Sequence, residues 1–247
     1  MPGDGWERVA LDWATFARSD ADALYRANAE AFLAFLPPPA QLAIDIGCGE
    51  GRFDRLLADA GYAVIGIDGA PTLVRLASEA HPEGDYRVAD AYRLPLGDGV
   101  ADLVLSFMAL HDIEDLGAVC REARRVLRPG GSFCFAVIHP VASAGEFNSP
   151  HANARFVLDA YFPERVTTRP LFGDEVRQYH RPLSAYFDAL HDTAFAVVRL
   201  AELPTERRAA GRVPMFLHVQ AVAVEPGRRS GPTSYSPGSG VIGGLAK

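Results

Sequence analysis

The sequence predicts an α/β fold, a mostly parallel sheet with helices on both faces, and three observations carry that expectation. Between residues 41 and 139, short apolar runs alternate with amphipathic stretches. Each run is continuously apolar instead of alternating, as strands covered on both sides are. The first run ends in closely spaced glycines that open a helix, which is the punctuation of a strand–turn–helix unit.

Taken in order, residues 8–36 place Val9, Leu11, Trp13, Phe16, Leu24, Phe32, Leu33 and Leu36 at helical spacing, ended by Pro37-Pro38-Pro39. Residues 42–46 form a short strand, followed by the glycine turn and a helix through Phe53, Leu56 and Leu57. Residues 63–67 are a second strand, and Pro71 stands at a favourable first helical position. Third and fourth strands are expected at 86–89 and 101–107. Asp115 caps a helix running to Leu127, stopped by Pro129-Gly130-Gly131, and residues 132–138 make a fifth strand.

After Pro140 the rhythm breaks. Residues 141–181 hold Gly, Asn, Pro and scattered aromatics and are too long for a plain loop, so they are expected to form a cap insert. A helix at 182–193 and strands at 195–203 and 216–224 close the fold. The organisation expected is therefore one domain over 1–226, with an N-terminal helical segment at 1–40 and the cap at 141–181. A flexible Gly/Ser/Pro-rich tail is expected at 227–247.

Composition excludes several classes. At 247 residues, with 49% hydrophobic and 22% charged side chains, the chain has the make-up of a globular domain with a sizeable core. Its net charge of -7 gives no general attraction to nucleic acid or to anionic membranes. The longest apolar runs fall far below the ~20 residues of a membrane helix. The acidic N-terminus lacks an apolar signal core, so a cytoplasmic protein is expected. Three cysteines are too few for a disulfide framework, and no His-x-x-x-His pattern marks a zinc site, so no metal is expected. A single lysine beside abundant alanine fits a GC-rich bacterial genome.

The sharpest chemical signal is the segment Ala43-Ile44-Asp45-Ile46-Gly47-Cys48-Gly49-Glu50-Gly51-Arg52-Phe53. Glycines there permit positive φ and let a ligand touch the backbone at a helix N-terminus. Asp68 ends the next strand, where a carboxylate can accept the hydroxyls of a ribose. A dinucleotide fingerprint would put its third glycine at Arg52, which it does not.

With Asp45, Gly47, Gly49 and Gly51, the segment resembles the first motif of the class I S-adenosylmethionine-dependent methyltransferases, especially the small-molecule group related to quinone-biosynthesis enzymes. The resemblance continues through Ile65-Gly66-Ile67-Asp68, Val88-Ala89-Asp90-Ala91 with Leu94-Pro95-Leu96, Asp102-Leu103-Val104-Leu105-Ser106 and Val126-Leu127-Arg128-Pro129-Gly130-Gly131. It implies a Rossmann-like methyltransferase fold with a seven-stranded sheet, and S-adenosylmethionine as cofactor, with S-adenosylhomocysteine as product. By the same resemblance Asp45 and the Gly47–Gly51 turn line the methionine portion, and Asp68 with Gly69 holds the ribose. Asp90 and the Ala91 N–H read the adenine, and Ser106 and Phe107 lie beside the amino acid and methyl groups.

Methyl transfer to a phenol would need a base, since ionising a group of pKa near 10 at pH 7 costs roughly 4 kcal/mol. His139, at the end of the fifth strand and the mouth of the sheet, is the preferred candidate. His111 follows the fourth strand, with Asp112 placed either to orient it, to bind a cationic acceptor or to cap a turn. His180 could descend from the cap, and Tyr25 could stack or donate from the N-terminal segment, as Trp13 could; His151, His191 and His218 have weaker claims.

The function expected is methylation of O, N or C of a small aromatic or polyketide-like metabolite in bacterial secondary metabolism, with no nucleic-acid or membrane partner. Exposed faces of the cap offer a homodimer contact. A quinone or lipid methyltransferase and a non-catalytic cofactor-binding module are the alternatives.

Overall fold

The computed structural model describes residues 4–19, 23–149, 155–204 and 213–225. The tail expected at 227–247 and His151 lie outside the described residues. The N-terminal segment is two helices, α1 (Asp4–Ala17) and α2 (Ala23–Leu33). The alternating region follows as β1 (Ala43–Ile46), α3 (Arg52–Asp59), β2 (Val64–Asp68), α4 (Pro71–Ala80), β3 (Asp85–Val88) and β4 (Ala101–Phe107). A 3₁₀ turn (Leu110–Asp112) leads to α5 (Leu116–Val126) and β5 (Leu127–Ile138).

The cap consists of a short α6 (Pro140–Ser143), a ribbon of β6 (Gly145–Phe147) with β7 (Phe156–Leu158), and a hairpin of β8 (Arg165–Leu171) with β9 (Asp174–His180). Then come α7 (Leu183–Asp192), β10 (Phe195–Pro204) and β11 (Pro214–Ala223). A seven-stranded sheet runs in the order β3-β2-β1-β4-β5-β11-β10. The five strands β3 to β5 pair in parallel, and β11 and β10 join antiparallel. This is the mostly parallel, doubly covered sheet that the alternation predicts.

Most element boundaries fall within two residues of the sequence reading, and one differs by more. The strand after α5 begins at Leu127, five residues before the expected start, because Leu127 pairs with Ala101 before the chain loops out and resumes pairing at Ser132 with Leu103. The Pro-Gly-Gly segment is thus an irregularity inside a strand and not the stop of a helix.

Alternation along the central strands divides the core into two layers. Ile44, Val104, Phe133 and Phe135 face α5 and α7, packing with Val119, Ala123 and Leu190. Ala43, Leu103, Leu105 and Cys134 face the opposite way, against Phe32 and Phe35 of the α2 region and Phe53 and Leu57 of α3. Asp45 shares the parity of Ala43 and therefore points to the α3 layer. The three cysteines are free and buried. Outside the layers, α1 lies on α4 through Ala10, Ala70 and Leu73. Glu7 of α1 accepts hydrogen bonds from the Thr72 N–H at 3.0 Å and its hydroxyl at 2.6 Å, supplying the cap that Ala70 cannot. Among the described residues no helix is long and apolar enough to cross a membrane.

His218 of β11 is a core residue, its Nε2 bonded to Asn28 Oδ1 at 2.8 Å beside the rings of Phe32 and Phe35. Burial pulls its pKa down to about 4. The unfolded ring titrates near 6.5, so below that value the unfolded chain binds more protons and the fold loses stability until the native ring titrates as well. Urea unfolding across pH should show that His218→Gln removes roughly 3 kcal/mol of the wild type's loss between pH 6.5 and 4. Equal losses in both proteins would refute this account.

Candidate functional site

In the sheet, β1, β2 and β3 step outward in one direction and β4 and β5 in the other, so the order reverses between β1 and β4. Ligands of open α/β sheets bind outside the strand carboxyl ends at such a reversal. A cleft of about 1060 Å³ lies there, walled by the loops after β1, β2, β3 and β4 and roofed by α1 and the β8–β9 hairpin.

The loop after β1 is shaped by three glycines with different tasks. Gly47 has φ +82, and a Cβ there would meet the Ala109 Cβ at 2.3 Å, so only glycine allows the exits of β1 and β4 to pass this closely. Met108, on the facing exit, holds φ 59 without being glycine, a strained conformation of the sort that gathers at functional sites. Gly49 has φ +58 and open space where a Cβ would stand, leaving backbone exposed to the cleft. Gly51, with φ +74, opens α3 and packs against Tyr86, whose ring a Cβ would meet at 3.0 Å.

Asp68 fixes this loop: its Oδ2 accepts from the Gly49 N–H at 2.9 Å and its Oδ1 from the Ala70 N–H at 2.8 Å. A carboxylate oxygen has two lone pairs, so one on each remains for a ligand hydroxyl. Asp45, Gly69, Asp90, Ala91 and Phe107 also line the cleft. Asp45 is buried, and its Oδ1 has no hydrogen-bond partner among the described residues. Asp90 Oδ1 caps the Tyr92 N–H at 2.9 Å. The Phe107 ring stacks on Phe53 at 4.5 Å and meets Tyr25 edge-on at 5.1 Å.

Two expected cofactor residues do not reach the cleft. Ser106 is fully buried and its Oγ donates to the Ile46 carbonyl at 2.8 Å, tying β4 to β1. Gly51 is absent from the cleft wall because its missing side chain serves Tyr86 on the far side.

The expected bases are scattered by the fold. His139 is buried outside the cleft, its Nε2 held by Glu202 at 2.8 Å and its Nδ1 accepting from the Val141 N–H at 3.1 Å. With both ring nitrogens engaged, it anchors the β5–α6 corner to β10. His180 is likewise bound between the Ser143 hydroxyl at 2.6 Å and the Tyr161 carbonyl at 2.8 Å, within the cap and off the cleft wall. His111 lies buried behind the wall, its Nε2 3.8 Å from Asp112 Oδ1, and its Nδ1 has no partner among the described residues. Burial lowers the His111 pKa to about 3, with Arg169 and Arg181 adding to the effect. Burial raises Asp112, which does line the cleft, to about 7. Tyr25 lines the cleft; burial raises its hydroxyl well above its ordinary value, so it is a neutral donor there and not a base.

Several cleft residues escaped the sequence reading. The Arg52 guanidinium sits over the Tyr25 ring at 3.1 Å and beside Trp13 at 5.3 Å, pinning α3 to the N-terminal helices. The position was visible only as a departure from a dinucleotide fingerprint. Trp6, Thr168 and Val176 come from α1 and the hairpin, with no spacing in the sequence to join them. Arg8 clasps the roof, pairing with Asp174 and donating to the Glu175 carbonyl at 3.3 Å, while Phe16 meets Phe172 at 6.0 Å. Among the described residues no group of three or more His, Cys, Asp or Glu is arranged to hold a metal ion.

Comparison with known proteins gives concordant matches. The methyltransferase domain family matches residues 44–135. The chain is 34% identical over 116 residues to the malonyl-[acyl-carrier protein] O-methyltransferase of Pectobacterium atrosepticum, covering 47% of this chain and 46% of that one. It is 30% identical over 151 residues to a ubiquinone/menaquinone biosynthesis C-methyltransferase of Caulobacter vibrioides, covering 55% and 60%. The matches thus span about half the length of these curated relatives. A crystal structure of an S-adenosylmethionine-dependent methyltransferase from Mesorhizobium loti superimposes with a TM-score of 0.67 and 30% identity, covering 78% of this chain and 96% of that one.

The glycine geometry yields a stability test. Gly49→Ala should cost only the left-handed conformer, about 1–2 kcal/mol. Gly47→Ala adds the collision with Ala109 and should lower the unfolding free energy further. Chemical denaturation of both variants checks this, and equal losses would remove the close strand-exit contact.

Proposed function

Because this chain belongs to the class I S-adenosylmethionine-dependent methyltransferases related to those of quinone biosynthesis, we propose that it methylates O, N or C of a small metabolite of aromatic or polyketide-like character in bacterial secondary metabolism. The observation that carries the reading is the Gly49 backbone, open to a cleft that the carboxylates Asp45 and Asp68 also line. A ligand with an ammonium group and a nucleoside fits that donor and acceptor set.

In this reading Asp45 and the Gly47–Gly49 backbone hold the amino acid end of S-adenosylmethionine. Asp68 and Gly69 hold the ribose, and Asp90 with the Ala91 N–H reads the adenine. When bound, the cofactor supplies an electrophilic methyl on a sulfonium. The protein's own task is to align the acceptor and exclude water, which contributes on the order of 7–11 kcal/mol in well-oriented reactions. The α1 helix and the β8–β9 hairpin, clasped through Arg8 and Asp174, close the roof that does so.

Where the acceptor carries a proton, the group placed to receive it is Asp112, with neutral His111 behind it. With its pKa near 7, Asp112 is divided between charged and neutral forms at neutral pH, a suitable range for general base work. His139 and His180 support the cap and the sheet corner in this scheme. A second reading, a quinone or lipid acceptor, draws on the similarity to the Caulobacter protein and on apolar cap side chains left in solvent, notably Phe162 at 81% exposure.

Titration calorimetry with S-adenosylhomocysteine tests the cofactor assignment: Asp68→Ala should weaken binding by about tenfold or more, since both hydroxyl contacts and the loop clasp are lost. Unchanged affinity would remove the ribose assignment. A metabolite screen with methyl-labelled cofactor identifies the acceptor. With that acceptor, Asp112→Asn should lower kcat by roughly 10²-fold while S-adenosylhomocysteine affinity stays near wild type. His139→Ala should instead reduce stability, and a selective fall in its kcat would return the base role to His139.

A further inference from the structure

Asp54 is the third residue of α3, on the helix face that packs under β1 and β2. It is buried at 2% exposure, and neither of its carboxyl oxygens meets a hydrogen-bond donor among the described residues. The space it fills is made for it. A Cβ on Gly66 of β2 would lie 2.3 Å from Asp54 Oδ2 and 2.7 Å from the Tyr86 ring, so the pocket exists only because residue 66 has no side chain. An apolar residue would fill such a niche at no electrostatic cost, whereas an isolated buried carboxylate is expensive.

The neighbour that gives Asp54 meaning is Asp45, turned into the same layer from β1. Asp45 pairs in register with Gly66, and Asp54 Oδ2 fills the space a Gly66 Cβ would take, so the two carboxyls lie side by side and in hydrogen-bonding contact. Two carboxylates offer only lone pairs to such a contact, which is why no donor is found. With one proton between them the same contact becomes a short charge-assisted hydrogen bond. Burial, followed by the Asp54 charge, raises Asp45 well above the carboxylate range, and burial raises Asp54 to about 7.

The other charged groups facing the pair are committed or neutral. Asp68 of β2 is bound by the Gly49 and Ala70 N–H groups. Glu50 is paired with Arg18 at 3.0 Å and Arg55 at 3.1 Å, which engages the α3 cation that acts on Asp54. The hydroxyls of Tyr25 and Tyr86, from α2 and β3, and the buried thiol of Cys48 are all held neutral by burial.

We propose that Asp54 is a positioning residue of the cofactor cradle: it shares a single proton with Asp45 in the free protein, and the pair releases that proton as the cleft takes up a ligand ammonium group. The inference rests on the S-adenosylmethionine reading of the cleft. Of the two, only Asp45 lines it, so Asp54 acts through Asp45. The shared proton lets Asp45 stay buried with no cation beside it. A cation arriving beside Asp45 from the cleft favours the doubly ionised pair, so the proton passes to solvent and binding strengthens as pH rises through the free pair's titration.

The test is calorimetry of S-adenosylhomocysteine binding between pH 5.5 and 8, in pairs of buffers differing in ionisation enthalpy. Wild type should release a fraction of a proton near neutral pH and bind more tightly with rising pH, by up to about tenfold for each unit that binding shifts the pair. Asp54→Asn, which keeps a donor for Asp45 but holds no titrating proton, should lose the release and flatten the profile. The same release and slope in Asp54→Asn would overturn the proposal and leave the cofactor reading intact. Zero release by the wild type across the range would overturn it without recourse to any variant. Absence of binding at every pH would overturn both readings together.

Discussion

The site depends on how closely two strand exits approach each other. At the reversal of strand order, the chain leaving β1 passes the chain leaving β4 with room for no side chain at Gly47, and Met108 adopts a left-handed backbone opposite it. That approach turns the Gly49 backbone toward open space and lets Asp68, one strand over, clasp its N–H. A cradle built of backbone and carboxylates is rigid because its parts are the ends of strands whose middles are locked in the sheet. Small displacements of β1 against β4 would be transmitted directly to the ligand, since nothing compressible lies between them.

The roof is a different kind of construction. It is made by α1 and a hairpin distant from it in sequence, which meet through an ion pair, a backbone contact and a ring contact at the rim, with Arg169 over the Trp6 ring and buried Val176 beside Gly5. Exposed ion pairs contribute little to stability, typically under ~1 kcal/mol. The cradle below is fastened instead by its buried Phe107–Phe53–Tyr25 cluster and the Arg52 clamp.

Electrostatics follow the same division. Beneath the cradle, carboxylates outnumber the cations free to meet them, and burial pushes Asp45 and Asp54 toward sharing a proton. At and just behind the cleft wall, burial drives His111 and Asp112 in opposite directions, toward a neutral ring and a carboxyl that titrates near neutrality. Both pairs are local in sequence or in a single layer, yet neither signals its protonation state in one dimension, because desolvation is a property of the packed interior.

Much of this protein was legible before any coordinates. Strand and helix alternation, the glycine turn and the acidic ends of β1 and β2 are short-range features, set by backbone conformation and side-chain pattern within a dozen residues. They determined the parallel sheet, its order of elements and the position of the cradle. Histidines placed by the same logic at the mouth of the sheet were misdirected: His139 and His180 sit where the pattern puts them along the chain, but Glu202, Ser143 and Tyr161 turn their rings into structural bonds. Which residues roof the cleft, which carboxylates lose contact with water and which glycine faces the cleft and which a neighbouring ring are decided by contacts between segments far apart in sequence. Only the folded chain sets the distances and the desolvation on which those choices turn.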